Sequence, residues 1–149
     1  MRAVLQRVSL AQVAVAGEVV GEVPYGLCVL VGVGGDDRQE DVEWLVRKVV
    51  AARVFEDDQG KMNRSIRDVD GSLLAVSQFT LFGDLRKGNR PSFASAMNPE
   101  RARELFDEFC SIARGTGVHV ETGRFREHMH VTLTNVGPVT LLLDSKKTF

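Results

Sequence analysis

Strand-like segments lie at both ends of the chain, and only two segments between them have the periodicity of a helix. The first 33 residues are rich in valine and interrupted by glycine, a composition that favours strands. Residues 118–121, 128–134 and 139–143 again alternate or run apolar. This order lacks the regular strand–helix alternation of a doubly wound fold. It predicts an α+β fold in which two principal helices pack on a mostly antiparallel, curved or barrel-like β-sheet.

Capping residues predict where both helices begin. Asp37 and Glu40 have the spacing of a capping box. Asn98 supplies a capping side chain, and Pro99 follows at the first helical position, where its missing N–H costs nothing. Apolar residues then recur at three- and four-residue steps, as on the buried face of a helix. These are Val42, Leu45, Val46, Val49 and Ala52 in the first helix, and Ala102, Leu105, Phe106, Phe109, Ile112 and Ala113 in the second.

Length and composition restrict the class of protein. A chain of 149 residues predicts one domain, residues 1–149, and 44% hydrophobic with 26% charged residues excludes disorder. The net charge of -1 means that a nucleic-acid partner would be met by a local basic patch. Cys28 and Cys110 are expected to be buried thiols. Neither a secretory signal nor an apolar run long enough for a membrane span is visible, so a cytoplasmic protein is expected.

Several catalytic and binding motifs fail to match. Residues 32–35 are glycine-rich but lack the spacing of a phosphate-binding loop, so a strand-to-helix turn is favoured. The chain has no GxSxG nucleophile elbow. His128 and His130 would face the same way on a strand, but no third ligand accompanies them. We therefore predict no metal and no cofactor, and a metal-dependent hydrolase built on the two histidines is disfavoured.

Two polar segments stand out from otherwise apolar strand sequence. Residues 77–84 read SQFTLFGD, and a strand ending this way can present hydroxyls, an amide and free backbone N–H groups, the components of an oxyanion hole. Residues 135–140 read NVGPVT, in which a Gly–Pro pair permits close approach of another molecule. An ordinary turn is the alternative interpretation of each segment.

Together, SQFTL at 77–81 and NVGPVT at 135–140 resemble the paired motifs of the D-aminoacyl-tRNA deacylases, which edit tRNA charged with D-amino acids. Shorter similarities, such as GKMN at 60–63, RPSF at 90–93 and TGRF at 122–125, extend the resemblance over the whole chain. The resemblance implies hydrolysis of the ester between a D-amino acid and the terminal adenosine of tRNA. It also implies a cytoplasmic homodimer with active sites at the subunit interface and no metal.

The resemblance assigns roles to particular residues. It implies that Gly137 and Pro138 form a cis peptide that projects into the partner subunit's site. Such a pair would reject L-amino acids sterically but could not exclude glycine, so we predict that glycyl-tRNA is also hydrolysed. Backbone N–H groups near Phe79 and Thr80 would hold the oxyanion, with Ser77 and Gln78 shaping that wall. The terminal 2′-hydroxyl would assist attack by water. The resemblance places Phe125 and Met129 at the adenosine, and Arg7 behind the Gly–Pro pair.

A basic loop and a rival function complete the predictions. Arg86, Lys87 and Arg90 lie in a stretch without acidic residues between Asp84 and Glu100, so this loop either contacts phosphates of the tRNA acceptor stem or is simply solvated. A noncatalytic module of the same fold that binds the tRNA end is the alternative function. The intact SQFT segment argues against it.

Overall fold

The computed structural model describes all 149 residues, which form eight strands, two α-helices and one short 3₁₀ helix. The strands are β1 (Arg2–Val15), β2 (Glu18–Val23), β3 (Gly26–Gly32), β4 (Phe55–Glu56), β5 (Met62–Arg64), β6 (Ser72–Ser77), β7 (His119–Thr122) and β8 (His130–Asp144). The helices are α1 (Gln39–Ala51) and α2 (Pro99–Gly115). The 3₁₀ helix, Phe79–Phe82, is called the 79–82 turn below.

The main sheet is curved and mixed. Its strand order is β2-β1-β3-β6-β7, and β8 pairs along β1. The backbone of β2 at Gly21 comes close to Thr122 in β7, so the sheet nearly closes into a barrel. The predicted α+β class and barrel-like sheet are confirmed.

The strand directions differ in part from the prediction of a mostly antiparallel sheet. The pairs β3/β6 and β6/β7 are parallel, whereas β1 is antiparallel to β2, β3 and β8. Parallel neighbours need a crossover connection, and α1 and α2 lie in the two crossovers. The centre of the chain therefore does alternate strand and helix, within an otherwise antiparallel protein.

Both helices bury most of the apolar faces predicted for them, but Ala52 lies just beyond the end of α1, and Ala102 and Ile112 in α2 are only half-buried. The main core holds α1 and α2 against the sheet and includes Leu45, Val49, Leu105 and Phe109, none of which is exposed. Cys28 and Cys110 are buried free thiols, as predicted. Burial raises the pKa of Cys28 to about 11 and that of Cys110 to about 12, so both thiols are protonated at neutral pH.

The capping prediction is right for α2 and wrong by one residue for α1. The Asn98 side chain accepts a hydrogen bond from the Arg101 N–H at 3.0 Å. In α1 the N-cap is Arg38, whose N–H donates to Asp41 at 2.9 Å. Asp37 is buried instead, and it accepts hydrogen bonds from the Gly34 N–H at 2.6 Å and the Met1 ammonium at 2.5 Å. A carboxylate with these two donors is satisfied outside the helix.

The last strand carries the Gly–Pro segment as a bulge. β8 runs continuously through it, but residues 136–139 have no pairing partner on β1. The Asn135 side chain holds the bulge by accepting from the Val139 N–H at 2.7 Å and donating to the Val139 carbonyl at 3.2 Å. The Gly137–Pro138 peptide is cis, and both residues are exposed.

The rest of β8 is an edge strand with exposed apolar side chains, among them Leu141 and Leu142, the latter 61% exposed.

None of the helices is both long enough and apolar enough to span a membrane.

Candidate functional site

The end of β6 presents two unpaired backbone donors. The Gln78 N–H is the last main-chain donor of this strand end that bonds to the neighbouring strand, and it donates to the Val31 carbonyl at 2.8 Å. The chain then enters the 79–82 turn, where the N–H groups of Phe79 and Thr80 donate no hydrogen bond within the chain. The Gln78 side-chain amide contacts the Thr80 hydroxyl. Two adjacent main-chain donors without acceptors can stabilise a developing negative charge.

A cleft of about 450 Å³ opens beside this strand end. It is lined by Ser77, Gln78 and Phe79, by residues at the start of α2, and by residues 125–129 before β8. Phe125 and Met129, predicted from the resemblance, both line it, whereas Thr80 does not. Most of the lining is apolar, as is usual for ligand clefts.

Sequence reasoning missed part of the cleft wall. Met97, Pro99 and Ala102 line it, and so do Arg126, Glu127 and His128. In the sequence, Pro99 indicates only the start of a helix, and Ala102 only its buried face. Only the position of α2 in the folded chain, packed on α1 and β7, brings them to the cleft, and no sequence motif carries that information.

Phe125 is held in position by α2. Its ring lies 6.3 Å from the Phe106 ring, and the Arg103 guanidinium lies 5.7 Å from its centroid. An aromatic ring held on one side and lining a cleft on the other is a surface on which a base can stack.

Gly137 and Pro138 do not line the cleft of their own chain. They lie on the β8 bulge beside Arg7, whose side chain is almost fully buried. Arg7 Nε donates to the Val136 carbonyl at 3.0 Å, and Nη1 donates to the Val54 carbonyl at 2.7 Å. Arg7 thus connects the base of the bulge to the segment before β4.

The basic loop is exposed, but one of its charges is already paired. Arg86 donates to both carboxylate oxygens of Asp84, at 2.6–3.0 Å. These hydrogen bonds lower the pKa of Asp84 to about 2. Lys87 and Arg90 are exposed and have no acidic partner within ion-pair distance.

The two histidines lie together without further ligands. Their ring centroids are 5.2 Å apart, and both residues are exposed. His128 precedes β8 and lines the cleft, so only His130 lies on the strand. The structure contains no group of three or more histidine, cysteine, aspartate or glutamate side chains arranged to hold a metal ion. The glycine-rich residues 32–35 lead from β3 toward α1, in agreement with the predicted strand-to-helix turn.

The comparisons with known proteins agree with one another. The sequence profile described as D-Tyr-tRNA(Tyr) deacylase matches residues 4–144. Proteins named D-aminoacyl-tRNA deacylase from Desulfitobacterium hafniense and Thermotoga petrophila are 58% and 56% identical to the chain, and each alignment covers 100% of both sequences.

Solved structures have the same fold. A c-Myc DNA unwinding element binding protein has a TM-score of 0.91 and 40% identity, and the alignment covers 97% of this chain and 98% of that one. A probable eukaryotic D-amino acid tRNA deacylase has a TM-score of 0.83 at 18% identity, with 95% and 97% covered, a likeness of fold alone.

The fold and these matches define the chain as a hydrolase. It belongs to the D-aminoacyl-tRNA deacylase family. The resemblance found in the two motifs is confirmed.

Proposed function

We propose that the chain hydrolyses the ester bond between a D-amino acid and the terminal adenosine of tRNA, and that it works in the cytoplasm as a single domain without metal or cofactor. The observation that carries the proposal is the strand end at residues 77–80, where two unpaired N–H groups lie beside an apolar cleft of about 450 Å³. Attack on an ester places negative charge on the carbonyl oxygen, and preorganised donors stabilise that charge.

The N–H groups of Phe79 and Thr80 hold the oxyanion, and Ser77 and Gln78 shape the wall around it. Adenine stacks on Phe125 and contacts Met129. This placement puts the ester at the end of β6. The attacking group is water, assisted by the 2′-hydroxyl of the terminal ribose. The surroundings of Thr80 support this choice of attacking group. Its hydroxyl is hydrogen-bonded only to the Gln78 amide, which cannot act as the base that a threonine nucleophile would need.

Gly137 and Pro138 form the chiral filter in a homodimer, each protomer supplying the pair to its partner's cleft. The bulge is exposed, it is absent from its own chain's cleft, and Arg7 and Asn135 brace it. Two main-chain carbonyls accept from the substrate α-amino group and leave only a hydrogen-sized gap on the L side. Such a filter passes glycine, so glycyl-tRNA is also a substrate.

The exposed edge of β8 supports the homodimer. Val131, Val136, Leu141 and Leu142 are each more than a third exposed. A long edge strand with apolar side chains is normally covered, since it otherwise promotes aggregation. Pairing of two such edges about a two-fold axis would cover both, because the same patch meets itself.

The proposed reaction is tested by measuring hydrolysis of D- and L-tyrosyl-tRNA with and without a chelator. We expect hydrolysis of the D ester only, at a rate that the chelator does not change. Binding of the tRNA end without hydrolysis would instead favour the noncatalytic module. A rate abolished by the chelator and restored by a metal ion would favour the histidine-based hydrolase.

The basic loop is proposed to contact acceptor-stem phosphates through Lys87 and Arg90. Changing both to glutamate should weaken tRNA binding roughly tenfold near 0.1 M salt and reduce the slope of log K against log salt by about one per lost contact. Arg86→Glu should have a smaller effect, because Asp84 already pairs with Arg86. Binding isotherms at several salt concentrations measure both quantities.

The matched control reverses Arg47 and Lys48, two exposed charges on α1. It should leave affinity and salt slope unchanged. Equal losses in the control and in the loop variant would show that only overall charge matters.

A further inference from the structure

The 79–82 turn, which contains both proposed oxyanion donors, packs on its surroundings through side chains: the Phe79 ring lies 5.0 Å from the Phe93 ring, and the Phe82 ring lies against Gly34. None of its four residues is buried. The Gly83 N–H donates back to the Thr80 carbonyl at 2.9 Å, and the Ser95 hydroxyl donates to the Phe82 carbonyl at 3.2 Å. No main-chain hydrogen bond ties the turn to a neighbouring strand or helix, so a side-chain contact that reaches its main chain helps to fix its orientation.

Arg2 supplies that contact. Its Nη1 donates to the Leu81 carbonyl at 3.1 Å, and its guanidinium lies 4.7 Å from the centre of the Phe82 ring. The Phe149 ring also approaches the guanidinium, at 5.7 Å. Arg2 therefore holds one main-chain carbonyl and one side chain of the turn at the same time, which the planar guanidinium makes possible.

Arg2 is itself fixed by the sheet. It lies in β1 and pairs with Gly32 of β3 on one side and Asp144 of β8 on the other. Its Nε lies 3.7 Å from the buried Asp144 carboxylate, yet this N–H is buried without a hydrogen-bond acceptor. A buried donor without an acceptor lowers stability. The guanidinium therefore lies where it contacts the turn, although one of its own N–H groups is left without an acceptor there.

We propose that Arg2 is a positioning residue for the deacylation reaction. It fixes the 79–82 turn so that the N–H groups of Phe79 and Thr80 face the reacting ester, without itself touching the substrate. This inference rests on the proposed function. Oxyanion donors act because they are preorganised, and small displacements of catalytic groups lower the rate steeply.

The test compares Arg2→Met with Arg114→Ala. Arg114 makes a similar single hydrogen bond, from Nη2 to the Val120 carbonyl at 3.2 Å, near the other end of α2 from the cleft. We expect Arg2→Met to lower kcat by about 10- to 100-fold while KM stays within about threefold. The preference for D over L esters should not change. Arg114→Ala should keep the wild-type kcat, and thermal denaturation compares the stability of the two variants.

Arg2→Lys provides the second variant. It keeps the charge beside Asp144, but an ammonium cannot both stack on Phe82 and donate in a fixed plane, so we expect a kcat between those of wild type and Arg2→Met. Wild-type kcat in Arg2→Met would overturn the proposal, as would wild-type kcat in Arg2→Lys if Arg2→Met does not fold. A wild-type enzyme without deacylase activity would instead overturn the proposed function.

Discussion

A D-aminoacyl-tRNA ending in 2′-deoxyadenosine, esterified at the 3′ position, should be hydrolysed roughly 10²–10⁴-fold more slowly than the normal substrate. Two possible bases, Glu127 and His128, line the cleft, but neither is hydrogen-bonded to a hydroxyl that could take the place of the missing one. Ser77 makes no hydrogen bond to a base, and His128, although it lines the cleft, bonds to neither Ser77 nor Thr80. Single-turnover hydrolysis of the two substrates measures the ratio directly.

Thr80→Ala is the matching protein variant. It removes the only hydroxyl on the 79–82 turn but keeps the backbone N–H, so we expect the rate to fall by less than about tenfold. Retained activity with the 2′-deoxy substrate, combined with an inactive Thr80→Ala, would mean that Thr80 is a nucleophile and that the 2′-hydroxyl has no part in catalysis.

Gly137→Ala should lower deacylase activity by about 10²-fold. Gly137 has a φ of +129°, and an added Cβ would lie 2.9 Å from Arg7 Nη2 and 2.9 Å from Val139 Cγ2. Arg7 is held by two main-chain carbonyls and cannot easily move, so the bulge must shift instead. A filter that discriminates by main-chain shape loses its geometry when the main chain moves.

Gly17→Ala controls for backbone strain. Gly17 also has a positive φ, +81°, but an added Cβ there meets nothing within 4 Å. It lies in the β1–β2 turn, so the variant should lose some stability and keep its activity. Equal loss of activity in both variants would remove the special role of Gly137.

The secondary structure could be predicted where local chemistry decides it. Asn98 and Pro99 define the start of α2 because capping involves only neighbouring residues. The Asp37 cap was wrong because a distant group, the Met1 ammonium, competes for that carboxylate. The parallel pairs were missed because crossover direction depends on how α1 and α2 pack, which periodicity does not encode.

In the candidate site, too, features set by neighbouring residues could be predicted and features set by distant contacts could not. Three residues of the SQFT segment line the cleft, and the segment could be found from sequence because polar residues interrupt an apolar strand there. The Gly–Pro bulge does not line the cleft of its own chain, and its part in the site stays a prediction. The attachment of the 79–82 turn by Arg2 could not, because an arginine at the start of a strand carries no local signal for a partner 79 positions away. Contacts of this kind depend on the register of three strands and appear only in the folded chain.

Mixed dimers test the cross-subunit filter most directly. One parent is Gly137→Ala; the other is Phe79→Pro, which removes one proposed oxyanion donor. Phe79 is the first residue of the turn, where proline is tolerated, and Gln78 before it lies outside the α region that a following proline disfavours, with φ -142° and ψ 78°. Each parent alone should be nearly inactive. After unfolding and refolding together, the two chains should regain about a quarter of wild-type activity, because half of the dimers then contain one site with an intact filter and an intact strand end. No recovery, with mixed dimers verified by mass spectrometry, would contradict the account.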